Sequence, residues 1–204
     1  MSDNATMIHR TVSQMVERLT EAGKGKRAGM LTPWATAMLA KLRRAAGTSP
    51  CESADVWEVT IGALSEELTK WERGKAEFAV HTALTLFGVH QQGSHESISK
   101  NGVGFGKAVK SIVLPDLTNE PGVRRRFNAL VTTLEFKELA NHARGLVQLM
   151  RTRGLGFDYP KFAVELYRYQ LSSEQRDYVR MSWGRDFYAP NKDGQNENLK
   201  EDKK

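Results

Sequence analysis

Residues 135–153 read EFKELANHARGLVQLMRTR, and the spacing inside this stretch decides the fold. Phe136, Leu139, Ala140, Ala143, Leu146, Val147 and Met150 fall at the i, i+3, i+4, i+7, i+10, i+11 and i+14 positions of one helix face. Lys137, Asn141, Arg144, Gln148 and Arg151 fall at i, i+4, i+7, i+11 and i+14 of another stripe. That second stripe holds no acid and is expected to face solvent. The segment is therefore an amphipathic helix with an apolar side and a cationic side.

The same period governs the rest of the chain. Ile8, Val12, Met15, Val16 and Leu19 mark a first helix. Thr32 and Pro33 are N-cap and first-turn residues for a second, running from Trp34 to Ala46, with Lys41, Arg43 and Arg44 in its last turns and Gly47 as its stop. A third helix is expected over Asp55 to Leu64, among Glu52, Asp55, Glu58, Glu66, Glu67 and Glu72. Glu72 to His90 reads as a central, buried helix, since Phe78, Ala79, Val80, Ala83, Leu84, Leu86 and Phe87 give it an apolar middle. A further helix runs from Val103 to Val113 and is stopped by Pro115. Another is opened by Pro121 and carries Val123, Phe127 and Leu130. Asp158 caps a helix holding Phe162, Leu166 and Tyr169, and Ser172 with Gln175 forms the capping pattern of a last one, to Tyr188. No strand and no fixed-period repeat is apparent. The fold class is all-α, with about eight helices in two packed lobes. The polar loop QQGSHESISKNG supplies the boundary, giving an N-terminal lobe of residues 1–97 and a basic C-terminal lobe of 98–190. The tail 191–204, NKDGQNENLKEDKK, has Leu199 as its one apolar residue and is expected to be disordered.

The net charge of the 204-residue chain is +6. Residues 100–153 account for all of it, with ten Lys or Arg against four acids, while both flanks are balanced. A solvated surface needs charge but not one sign of it; a one-sign surplus in one segment suits a polyanion, and nucleic acid is the commonest. At 40% apolar residues with four Trp, the chain can fill a core. No apolar run approaches the length of a membrane span, and MSDNATMIHR lacks the apolar core of a secretory signal. With one cysteine, Cys51, no internal disulfide is possible, so a reducing, cytoplasmic setting is expected.

The chemistry-bearing motifs are few. Asn101-Gly102-Val103-Gly104-Phe105-Gly106-Lys107 resembles a nucleotide loop, but Asn101 stands where a Walker A loop needs Gly, and Ala108 where it needs Ser or Thr. Two readings stay open: a helix N-terminus offering N–H groups to a phosphate beside Lys107 and Lys110, or a linker with glycine caps. His9, His81, His90, His95 and His142 contain no i, i+4 pair of the helical zinc type. Gly-x-Ser-x-Gly is absent, and the basic segment lacks paired carboxylates for metal-assisted hydrolysis. No enzyme activity, metal or cofactor is expected. Arg124, Arg125 and Arg126 are 100° apart on a helix, so one is free to pair with Glu120 while two reach outward. Phe105 alone lies near enough to stack on a base and serves equally well as core. Contacts to the phosphate backbone are expected, without sequence readout.

Three stretches in order carry a family resemblance: LAKLRRAAGTSP at Leu39 to Pro50, GVGFGKAVKSI at Gly102 to Ile112, and GVRRRFNALVTTLEFKELANHARGLVQLMR at Gly122 to Arg151. Over Met7 to Trp183 the chain resembles the small subunit of the type I-E CRISPR surveillance complex Cascade, the CasB family. The resemblance implies a non-enzymatic helical subunit in antiviral defence, with two copies packed head to tail. They would contact the complex's backbone and large subunits, the CRISPR RNA and the target DNA, holding the displaced strand and the guide–target duplex. By position it implies that Arg43, Arg44, Lys75, Lys107, Arg125, Arg126 and Arg144 are basic contact residues, Lys75 standing among acids. Charge and exposure add Lys110, Lys137 and Arg151. Two other readings fit the residues: a helical DNA-binding regulator using the Lys137 stripe, and a basic adaptor for an acidic protein.

Overall fold

The computed structural model describes residues 3–21, 30–64, 68, 70–94, 96–113 and 120–190. Expectations for Lys24, Lys26, Arg27, Glu66, Glu67, His95, Pro115, Asp116 and the tail from Asn191 lie outside the described residues. The fold is all-α. The helices are α1 (Asp3–Leu19), α2 (Pro33–Ala45), α3 (Lys70–His90) and α4 (Phe105–Val113). They continue with α5 (Glu120–Thr132), α6 (Phe136–Thr152), α7 (Tyr159–Tyr169) and α8 (Ser173–Tyr188). The one extended pairing among the described residues is an isolated parallel bridge between Ser99 and Phe157. No described helix is long and apolar enough to cross a membrane.

Local chemistry fixes the helix starts. Thr32 Oγ1 accepts from Ala35 N at 3.1 Å, with Pro33 behind it at the first helical position. Asp158 Oδ1 accepts from Lys161 N at 2.9 Å to start α7, and Ser172 Oγ accepts from Gln175 N at 3.2 Å to start α8.

The helix expected over Asp55 to Leu64 does not form. Two short 3₁₀ turns, Pro50–Glu52 and Ala54–Val56, are followed by irregular turns. The reason is local: Val56, Val59, Thr60 and Ile61 are β-branched, and Gly62 follows them. Thr60 Oγ1 donates to the Val56 carbonyl at 2.9 Å, and Trp57 Nε1 donates to the Pro50 carbonyl at 2.6 Å. Both carbonyls also accept backbone N–H groups, so side chains reinforce the turns.

α3 is the axis of the molecule, as its apolar middle requires. Residues 79–91 are buried throughout, and α3 packs against α1, α2, α6 and α7. α1 also lies along α7, α4 along α8, and α5 along α6. Buried apolar side chains from all eight helices join one core. Its densest part is aromatic: Phe105 stacks on Phe162 at 4.7 Å between ring centres, Phe157 on Tyr159 at 4.2 Å, and Trp183 lies 5.3 Å from Phe105. Phe105 is thus core rather than a free stacking platform.

Phe78 departs from its expected place. Sequence periodicity puts it in the buried middle of α3, yet it is 40% exposed and meets Phe136 of α6 edge-to-face, ring centres 6.1 Å apart. Phe136 covers part of the Phe78 ring and the rest is open to solvent.

Candidate nucleic-acid interface

The cationic stripe of α6 forms, but it is not uniformly free. Lys137, Asn141 and Gln148 are exposed, whereas Arg144 and Arg151 are half-buried. Arg144 Nη1 donates to the Ala46 carbonyl at 2.9 Å, and Arg151 Nη1 donates to Gln92 Oε1. This corrects the expectation that the whole stripe faces solvent. The long guanidinium stems reach over the seams flanking α6 and satisfy polar groups of distant segments. Arg144 serves the end of α2: Ala46 is that helix's C-cap, and its carbonyl has no partner one turn further on.

The fold brings the end of α2 to the start of α6. Arg43 and Arg44 occupy the last turn of α2, where cations favour the helix dipole. Arg44 is exposed and borders a hollow with Lys41, Thr48, Glu52, Ser53, Ala54 and Asp55. Gly47 follows with φ +93°, a conformation that glycine adopts without strain, and lets Arg144 approach closely. Glu52 accepts from Ser49 N and Oγ at 2.8 and 2.9 Å, which, with the field of Lys137, holds its carboxyl below the usual range. Arg44, Lys137 and Arg144, far apart in sequence, therefore gather around one seam.

A second group lies on α4 and α5. Lys107 is exposed. Lys110 Nζ donates to the carbonyl of Ala189, the C-cap of α8, so it is occupied within the fold. Arg124 pairs with Glu120, which raises its pKa, and lies over the Tyr188 ring at 5.5 Å. It is thus the member of the arginine triple that pairs with Glu120, while staying at the surface. Arg125 and Arg126 are exposed; Arg126 Nη1 reaches only the Gly122 carbonyl, at 3.4 Å. Lys75 stands apart on α3. Its Nζ lies 3.2 Å from the centre of the Trp71 ring, and desolvation lowers its pKa.

The glycine loop is a packing joint rather than a phosphate cradle. Gly102 N donates to Asp158 Oδ2 at 2.9 Å, and Asp158 N donates to the Val103 carbonyl at 2.9 Å. A Cβ at Gly104 would run into the Asp186 carboxylate, and one at Gly106 into the Trp183 carbonyl. Two carboxylates of the protein thus occupy the neighbourhood offered to an anion. His81 and His90 are buried, as ordinary packing predicts. His90 Nδ1 lies 3.0 Å from Tyr159 Oη, and burial brings its pKa down to about 4. Among the described residues, no group of three or more His, Cys, Asp or Glu is arranged to hold a metal ion.

Phe78 is the residue whose exposure the sequence reading passed over. The signal lay in α3: Trp71, Lys75, Phe78, Thr82 and Thr85 fall at i, i+4, i+7, i+11 and i+14. Two rings, an amine and two hydroxyls on one stripe interrupt a helix otherwise rich in Ala, Leu and Val.

Comparison with known proteins gives a consistent picture. No curated protein matches the sequence. The structure of CasB from Thermobifida fusca is similar to this one with a TM-score of 0.71 and 29% identity, over 91% of this chain and 98% of that one. A CRISPR-associated protein of the Cse2 family from Thermus thermophilus shares the fold, with a TM-score of 0.67 and 19% identity, over 93% of this chain and 100% of that one. The model of the CRISPR-associated protein Cse2 family matches residues 38–188, which include α3 to α8 and most of α2. The chain belongs to the Cse2 family of CRISPR-associated proteins.

Proposed function

We propose that the chain is a non-catalytic, structural small subunit of a type I-E Cascade assembly in the cytoplasm. It holds nucleic-acid backbone, the displaced DNA strand and the guide–target duplex, without reading sequence. One observation carries this reading: Arg44, Lys107, Arg125, Arg126 and Lys137 are solvent-facing cations that form no ion pair with any described residue. Four of the five lie in residues 100–153, the segment holding the chain's whole charge surplus, and unpaired cations there suit a partner supplying many phosphates. Base pairing by the guide carries specificity in such systems, so a backbone grip suffices. Arg43, Lys75, Lys110, Arg144 and Arg151 are half-buried, several with partners inside the fold, and contribute less. The partners in this reading are the CRISPR RNA, target DNA, the backbone and large subunits, and a second copy of the chain. The division into lobes at residues 97 and 98 is part of the same proposal; cleavage by a protease confined to the loop before residue 104, leaving two fragments that co-purify, tests it.

The central test is binding of DNA of random sequence as salt is raised. About six phosphate contacts predict a fall of roughly a thousandfold between 50 and 200 mM. An affinity flat over that range overturns the reading. A single consensus emerging from selection on random duplexes supports the regulator instead.

A further inference from the structure

A half-enclosed hollow lies between three segments remote in sequence. Phe78, Thr82, Thr85 and Leu86 of α3 form one wall, Phe136, Lys137, Ala140 and Asn141 of α6 another, and Gly47 to Ser49 after α2 close the end. Its enclosed part is small, about 60 Å³, and it widens into solvent at its mouth. Its lining is mainly apolar, with the buried Thr82 and Thr85 in the wall and the exposed Lys137 and Asn141 beside them. Phe78, 40% exposed, is its one large aromatic surface open to solvent. Its edge-to-face contact with Phe136 orients the ring.

Two rim side chains, Lys137 and Asn141, are exposed and form no hydrogen bond or ion pair with any described residue. Glu52 is the carboxylate whose field reaches Lys137; Arg44, with Asp55, lies across Thr48, and the Arg144 guanidinium lies behind Gly47. An aromatic face within an apolar hollow, an amide with free donor and acceptor, and cations at the mouth match the parts of a nucleotide: a π face, a polar base edge and a phosphate. Lysine is depleted at protein–protein interfaces; here Lys137 lines the hollow beside the aromatic face.

We infer that this hollow accepts one unstacked base of a single strand, with Phe78 as the stacking surface, Asn141 at the base edge and Lys137 at the adjoining phosphate. The inference rests on the nucleic-acid reading above and adds to it: the backbone grip is then supplemented by a contact that every base can make, since each has a π face.

The test compares a short homothymidine strand with the same strand stripped of its bases, at low salt, on the full chain. The two carry the same phosphates, so the electrostatic contribution is common to both. The intact strand is expected to bind about tenfold more tightly, the effect of one base stacked on an aromatic ring. Phe78→Ala should remove that advantage while leaving the abasic strand's affinity unchanged. Equal binding of the two strands to the unaltered protein overturns the base site and leaves the backbone reading standing. A Phe78→Ala variant that keeps the full advantage for the intact strand places the base elsewhere and also overturns it. Failure of both strands to bind overturns the site and the backbone reading together. The comparison on the unaltered protein needs no variant to fold.

Discussion

Arg144 and Ala46 stand 98 residues apart in the chain, and the Arg144 guanidinium donates to the Ala46 carbonyl at 2.9 Å. The bond ties the middle of α6 to the C-cap of α2 at a position where the backbone is nearly fully covered. A charged donor serving an otherwise open carbonyl stabilises by about 1.5–3 kcal/mol. Arg144→Ala is expected to lower the melting temperature by several degrees, and a double reversal, Arg144→Glu with Arg151→Glu, to lower it further. A variant that melts like the unaltered protein but loses DNA binding would assign Arg144 to the nucleic acid instead.

The charge surplus is tested at side chains with no role inside the fold. Arg44, Lys107 and Arg125 are exposed on three different helices and unpaired. Reversing all three to Glu is expected to reduce DNA affinity by at least a hundredfold at low salt and to flatten the salt dependence by about one unit of slope per residue. Stability should change by less than about 0.5 kcal/mol for each. Unchanged affinity with intact folding would move the interface to another face.

Much of the fold was legible in the sequence because helical packing imposes a period that side chains must obey. The α6 face from Phe136 to Met150 and the caps at Thr32, Asp158 and Ser172 stand where their spacing puts them. The family read from the order of three segments is the family found. What escaped depends on tertiary geometry. Periodicity says that Phe78 shares the apolar side of α3, but not that its ring stays 40% exposed beside Phe136. Charge says that Arg144 is a cation, but not that the carbonyl of Ala46 lies within its reach. The glycines at 104 and 106 suggest a loop for phosphate; only the approach of Asp186 and Trp183 shows that the missing side chains make room for protein.

That approach has a mutational consequence. Leu146 lies fully buried on the inner face of α6, and Leu146→Ala is expected to cost about 2–5 kcal/mol by leaving a cavity. Gly106→Ala removes nothing, yet its added methyl would meet the Trp183 carbonyl, which is helix backbone and cannot rotate away. Denaturant midpoints should therefore fall for both variants. An unshifted midpoint for Gly106→Ala would show that α4 and α8 slide apart without loss.

The same joint makes stability depend on pH through Glu165. Its carboxylate is buried, accepts from Trp183 Nε1 at 2.7 Å, and lies 3.9 Å from Lys161 Nζ. Burial raises its pKa to about 7, opposed by the Trp183 hydrogen bond and Lys161, with Asp186 and Asp158 adding to the rise. The folded state thus holds a proton that the unfolded chain releases near 4.5. The resulting stability is complete below about pH 4.5 and lost as pH rises through about 7, on the order of 3 kcal/mol in all. His90 works in the opposite sense: its folded pKa of about 4 lies below the ordinary 6.5, so stability falls as pH drops between those values. The two slopes offset each other in the unaltered protein. Glu165→Gln keeps an acceptor for the indole and removes one slope. Its melting temperature relative to the unaltered protein should therefore climb as pH is raised from about 4.5 to about 7 and then level off. A difference that stays constant across that range would mean that Lys161 already holds Glu165 ionised in the folded state.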